Sequence, residues 1–191
     1  MKNNKTTTMV SSAILMAMAF VLSFVKIIDY PWGGSVTLFS MLPICLISIR
    51  FGMGWGLGTA FTYAMRQLMQ GLGEAMSWGL TVEAWIGMIL FDYLLAFTVL
   101  GLSGLFRKQG RGGIVAGAAI AIGLRYLSSV LSGAIVWKSI GALLGWTIEN
   151  TWVYSLLYNA LYMLPELAMT VAALLVLTSL PQMKRWIAPL A

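Results

Sequence analysis

Residues 84–106, AWIGMILFDYLLAFTVLGLSGLF, decide what kind of protein this is. A helix needs about 20 residues to cross ~30 Å of hydrocarbon, and this run supplies them. It carries one ionisable side chain, Asp92. Five further apolar segments can be marked around it: residues 9–28, 36–49, 53–72, 113–137 and 152–181. The second of the six is short and contains Pro43, so it is expected to be tilted or only partly inserted. Of the 191 residues, 60% are hydrophobic and 9% charged, and the mean hydropathy is +0.87. A soluble domain typically carries about 25% charged residues. This chain cannot cover a water-facing surface. It reads as an all-α integral membrane protein, a bundle of six transmembrane helices forming a single domain over residues 1–191.

The distribution of charge tests that count. One side of the proposed spans collects Lys2, Lys5, Arg50, Arg107, Lys108, Arg111, Lys184 and Arg185. The other collects Asp29, Glu74, Glu83 and Glu149, with Lys138 as its clear basic residue. Basic residues accumulate in cytoplasmic loops, so both termini are expected in the cytoplasm. The net charge of +6 therefore reflects topology rather than a nucleic-acid partner. The basic start is like that of a signal peptide, but its apolar run of roughly 20 residues exceeds the 7–15 of such a segment. A first span is expected instead. Trp78, Trp146 and Trp152 read as interfacial anchors. The single cysteine, Cys45, excludes an internal disulfide and a cysteine metal cluster. Histidine is absent, which removes the usual general base and the commonest metal ligand. No metal and no cofactor are expected.

Small residues recur at spacings of four: Ala13 and Ala17, Gly54 and Gly58, then Gly113, Gly117 and Ala121. Such stripes let helix backbones approach closely. They fit packing within the bundle, or a face turned toward another protein.

Ionisable groups inside spans carry the functional signal. Arg66, Asp92, Arg125 and Glu166 all fall there. A charge at the centre of a helix costs about 2.5–3.5 kcal/mol on insertion scales, so each needs a partner or a wet cavity. Two acids and two arginines could pair internally, and Arg125 in particular reads as holding helices together. Asp92 stands nearer the outer end of its helix. On the fifth segment Arg125, Ser129, Gly133 and Trp137 follow one another at spacings of four, a slowly twisting stripe running outward. On the sixth, VYSLLYNALYMLPE places Tyr154 and Tyr158 on one face with Asn159 about 100° round from the second. Together these form an acidic, ring-lined chamber. Asp92 supplies negative charge, Trp137 and the tyrosines supply π-faces that attract cations, Asn159 supplies a donor and an acceptor, and Gly133 leaves room for something flat. The expected ligand is a small organic cation with a flat heteroaromatic part.

The stretches GGSVTLFSMLPICLISIRFGMGWGL, FDYLLAF, RYLSSVLSGAIVW and VYSLLYNALYMLP also resemble the thiamine-specific S-components of energy-coupling factor (ECF) vitamin transporters. The resemblance runs from the first helix to about residue 180. It implies a transmembrane S-component that binds thiamine near the outer surface, on Asp92, Tyr93, Gly133, Trp137, Tyr154 and Asn159. It implies that Ala13 and Ala17 dock on a transmembrane coupling subunit served by two ATPase subunits, since the chain has no G-x-x-x-x-G-K-[ST] phosphate loop of its own. It also implies that the loop around residues 29–36 closes over the ligand. Two positions depart from the family pattern. Ser129 stands where members carry a stacking histidine, and the aromatic groups expected near GGSV and before FDYL would have to come from Trp32 and Trp85. The loss of the histidine leaves room for another vitamin, a thiamine precursor or a phosphate ester as ligand. From a different class, an intramembrane enzyme would need Asp92 and Glu166 to act as a pair.

Overall fold

The structure, a computed structural model, describes residues 5–30 and 33–187. It is mostly helical. In chain order it contains α1 (Lys5–Ser23), a hairpin of β1 (Lys26–Asp29) and β2 (Ser35–Thr37), α2 (Met41–Phe51), α3 (Met53–Ala75), α4 (Val82–Gly104) and α5 (Gly110–Trp137). A second hairpin, β3 (Gly141–Leu143) and β4 (Trp146–Ile148), leads into α6 (Thr151–Ser179) and the short α7 (Pro181–Ile187). Both hairpins are antiparallel, with Asp29 opposite Ser35 in one and Gly141 opposite Ile148 in the other.

Four helices, α1, α4, α5 and α6, are long and apolar enough to cross a membrane. The long helix α3 is not among them; it carries Arg66, Gln67, Gln70 and Glu74 along its second half. The segment expected over 36–49 resolves into strand β2 followed by α2, whose 11 residues reach only about 16 Å. The first segment also ends earlier than expected. Its helix stops at Ser23, whose hydroxyl donates back to the Phe20 carbonyl at 2.7 Å, and the residues beyond it enter β1. Two hairpins thus interrupt the all-α reading.

α2 is short, ended by Gly52 with φ of 99°, and it lies at the centre of the molecule. Ile44, Cys45, Ile47, Ser48 and Ile49 are fully buried, packed by α1, α3, α4, α6 and α7. Pro43 sits in its first turn, where a missing N–H costs little. The inner end of α4 tightens to a 3₁₀ turn over Val99–Gly104 and lies close against α2. There the Ser103 hydroxyl donates to the Cys45 carbonyl at 3.1 Å, and the Gly104 N–H donates to the Ser48 hydroxyl at 3.0 Å. A Cβ at Gly101 would stand 2.6 Å from the Leu57 backbone, so glycine is what lets α3 and α4 touch. The outward faces are apolar: Ile120, Leu124, Leu127, Leu131 and Ile135 form an exposed stripe along α5. Water would not tolerate that face; hydrocarbon does.

The small-residue stripes divide. Gly113, Gly117 and Ala121 are buried, and a Cβ at Gly117 would collide with the Ser103 carbonyl. That stripe is internal packing. Ala13, Ala17, Gly54 and Gly58 are exposed, and nothing lies within 4 Å of a Cβ built at either glycine.

Candidate ligand-binding site

Two widened helical turns build the site. α4 opens into a π-helix over Met88–Leu95 and α5 does so over Ser132–Trp137. Such turns bond i to i+5 and often occur at functional sites. In α5 the Lys138 N–H returns to the Gly133 carbonyl, five residues back, and Lys138 then leaves the helix with φ of 47°. The wide turn brings Ser132 and Trp137, five residues apart, to one side. Both donate to the same oxygen of Asp92: Ser132 Oγ to Oδ2 at 2.7 Å and Trp137 Nε1 to Oδ2 at 2.9 Å.

Asp92 and Trp137 line a cavity of about 570 Å³ between α3, α4, α5, α6 and the first hairpin. Its aromatic wall is larger than expected. Trp78 meets Trp137 edge to face at 5.6 Å between centroids. Tyr154 and Tyr158 stack at 6.1 Å with an interplanar angle of 9°, and Tyr158 meets Tyr162 edge to face at 5.9 Å. The hairpin closes one side, and the Gly34 N–H donates to the Tyr158 hydroxyl at 3.2 Å. The exposed ion pair Lys26–Asp29, 3.0 Å long, lies on the same hairpin.

Of the residues picked out in the sequence, Asp92, Tyr93, Ser129, Gly133, Trp137, Tyr154 and Asn159 all line this one cavity. Trp85 does not. It sits half-buried seven residues before Asp92, and Trp78, read as an interfacial anchor, takes the place beside Trp137. Trp32 lies outside the described residues. Gly133 acts differently from expected: a Cβ there would run into the Ser155 hydroxyl and stand 3.0 Å from Ser155 Cβ. The glycine admits the neighbouring helix rather than a flat ligand. Asn159 is likewise committed. Its amide donates to the Ser155 carbonyl at 2.9 Å and more weakly to the Ser129 carbonyl at 3.4 Å, and its oxygen accepts from Tyr162.

The arginines do not pair with the acids. Among the described residues Lys26–Asp29 is the ion pair present. Arg66 instead lies 3.7 Å from the Phe20 ring centroid and Arg125 4.0 Å from that of Phe97. Asp92 and Glu166 are not hydrogen-bonded to each other either. Glu166, 1% exposed, accepts the Thr37 N–H and the Thr37 hydroxyl on Oε1, both at 2.5 Å. Sequence reasoning missed the contribution of α3, whose Gln67, Gln70, Gly71 and Glu74 line the cavity. The signal was present: polar residues three to four apart on a largely apolar helix share one face and need a wet neighbour. A group of three or more histidine, cysteine or carboxylate side chains able to hold a metal is absent among the described residues.

The chain matches the thiamine transporter protein family model, Thia_YuaJ, over residues 9–185. It is 34% identical over 172 residues to the thiamine transporter ThiT of Bacillus subtilis (strain 168), covering 83% of each chain. It is 26% identical over 188 residues to the thiamine transporter ThiT of Lacticaseibacillus paracasei, covering 90% of this chain and 87% of the other. Among solved structures, that of ThiT from Listeria monocytogenes superposes with a TM-score of 0.70 at 22% identity, covering 95% of this chain and 98% of the other, and shares its fold. A family match over almost the entire length, joined to a membrane-spanning architecture and a relative above 30% identity, places this chain in the thiamine transporter protein family of membrane transporters.

Proposed function

We propose that this protein captures thiamine from the outer face of a bacterial cell membrane and delivers it as the S-component of an ECF-type importer. One observation carries the reading: a carboxylate, Asp92, fixed by the Trp137 indole and the Ser132 hydroxyl, faces a cavity walled by Trp78, Tyr154 and Tyr158. Thiamine offers a cationic ring and a flat pyrimidine. Aromatic faces attract such a cation by about 0.5–2 kcal/mol, and a carboxylate in a partly desolvated site adds a Coulombic share. Asp92, Tyr93, Trp137 and Tyr154 contact the ligand, while Gly133, Ser129 and Asn159 hold α5 against α6 and shape the wall.

The six apolar segments form a six-span, single-domain bundle with both termini in the cytoplasm, supported by the placement of basic residues at one set of segment ends. α2 with its flanking strand makes the second crossing, and α3, too polar to face lipid all round, makes the third with its polar face on the cavity. ATP is hydrolysed by two partner subunits acting through a membrane coupling subunit. The exposure of Ala13 and Ala17 on α1 supports docking of that subunit there. Titration of the detergent-purified protein with thiamine, followed by tryptophan quenching, tests the assignment. Trp78 and Trp137 in the cavity wall make the signal direct. Saturable quenching by thiamine and none by riboflavin is the expected outcome; the reverse refutes it.

A further inference from the structure

A second cavity, of about 810 Å³, shares no lining residue with the one that holds Asp92. It is a groove between α1 and α6, floored by α2 and bounded at one end by α7. Leu15, Leu22, Leu42, Leu46, Met169 and Trp186 belong to its wall, which carries no charged or amide side chain. The end at α7 is basic. Arg50, in the last turn of α2, lies 4.6 Å from the Trp186 ring centroid and 5.5 Å from that of Phe51. Lys184 and Arg185 are exposed on α7, whose Met183 and Trp186 face the groove. The six acidic residues of the chain lie elsewhere: Asp29, Glu83 and Glu149 flank the hairpins or the start of α4, and Glu74, Asp92 and Glu166 line the other cavity. Among the described residues no acid pairs with Arg50, Lys184 or Arg185. Size narrows the choice of occupant. Spread over the 11 residues of α2, roughly 16 Å of helix, the volume has a mean cross-section of about 50 Å². An α-helix with its side chains is about 10–12 Å across, or about 80–110 Å² in section. A helix can cover the mouth of such a groove; a methylene chain can enter it.

We propose that this groove binds one anionic phospholipid, with an acyl chain along α2 and the headgroup on Arg50, Lys184 and Arg185. Trp186 joins the two halves of the site, because its ring lines the groove and also carries the Arg50 guanidinium. A stacked guanidinium keeps its N–H edge free, and that edge matches phosphate oxygens in a bidentate fork. Lys184 and Arg185 add point charges of the kind that draw anionic lipids to a membrane surface. A zwitterionic headgroup offers the same phosphate but brings its own cation into a cluster that has no acid to meet it. The site is independent of the vitamin held at Asp92. It depends only on the proposed topology, which sets Arg50, Lys184 and Arg185 at one membrane surface.

The test titrates the full-length protein, stripped of lipid in detergent, with phosphatidylglycerol and with phosphatidylcholine of identical acyl chains, read by native mass spectrometry. One phosphatidylglycerol per protein is expected, bound roughly tenfold or more tighter than phosphatidylcholine. Lys184→Gln and Arg185→Gln, both at exposed positions, each narrow that preference by about fivefold. Ala172→Trp fills the groove from α6 and weakens both lipids about tenfold, whereas Leu127→Trp on the exposed stripe of α5 changes neither. Equal binding of the two lipids overturns the proposal, as does an Ala172→Trp variant that binds them like the parent. If that variant keeps its lipid but loses uptake or dissociates a dimer, the groove belongs to a protein partner and the proposal also falls. Should Ala172→Trp fail to fold by circular dichroism, the two lipids on the unmodified protein and on the α7 variants decide. Thiamine binding enters none of these readings, so their failure is distinct from failure of the proposed function.

Discussion

Replacing Asp92 by Asn isolates the charge on which the proposed cation site depends. The substitution is nearly isosteric, and the Asn oxygen can still accept from Ser132 Oγ and Trp137 Nε1, which now reach Asp92 Oδ2 at 2.7 and 2.9 Å. The two π turns therefore keep their bridge, and the aromatic wall stays in place. What disappears is the attraction between a carboxylate and the ligand's cation. At a separation of about 5 Å and an effective dielectric of about 20, that attraction is about 3 kcal/mol. A loss of that size weakens binding roughly a hundredfold. Calorimetric titration of the purified variant with thiamine measures it, and circular dichroism with an unchanged melting midpoint shows that the fold persists. A neutral analogue of the same shape provides the control, because its affinity has no charge attraction to lose. The reasoning fails if Asp92→Asn binds thiamine within threefold of the parent, or if the neutral analogue loses as much as the cation.

Other outcomes follow from the same geometry. Trp137→Phe keeps a ring in the wall but removes the N–H that holds Asp92; affinity is expected to fall about tenfold, the value of a charge-assisted hydrogen bond, as read by titration. Gly133→Val drives two methyl groups into Ser155 and separates α5 from α6, so the melting temperature drops by the equivalent of about 1–3 kcal/mol of overpacking and binding declines with it. Ala13→Trp places a bulky ring on the exposed face of α1; thiamine binding in detergent is retained while uptake by cells carrying the coupling and ATPase subunits is lost. Normal uptake by that variant would remove the docking role from this stripe.

The long helices were legible because hydrocarbon imposes a crude requirement, a run of apolar residues of fixed length, and a crude requirement leaves a crude mark. α4, α5 and α6 begin and end within a few residues of the apolar segments read for them. Asp92 and Trp137 were legible for the complementary reason: a carboxylate in ILFDYLL has no cheap place to go. The hairpins were not. Strands of three and four residues such as SVT and KIID are too short to show alternation. Trp85 and Trp78 could not be ranked from spacing, since their positions depend on the turn Met76–Trp78 that follows α3 and on how α4 starts. Gly133 was misread because a glycine facing a cavity and a glycine facing a helix look alike until the neighbour, Ser155, is known.

The π turns show why local helical geometry and the binding site are one problem. In an α-helix, residues five apart lie about 140° from each other, from 100° per residue. Ser132 and Trp137 on such a helix could not both address one oxygen. With i to i+5 bonding they stand nearly one above the other, and Asp92, itself carried on the π turn of α4, meets both. A π turn is intrinsically disfavoured, so something must offset it. The two donors on Asp92 do so together: each is a charge-assisted bond, stronger than a neutral one and stronger still away from water. The same widening cancels the drift of the Arg125, Ser129, Gly133 and Trp137 stripe, whose last step of four would overshoot by about 40° in an α-helix. Trp137 thus remains on the cavity side with Arg125 three turns below it. Carboxylate, indole and helix register hold one another in place, so the site proposed for the cation is assembled by the chain's own hydrogen bonds.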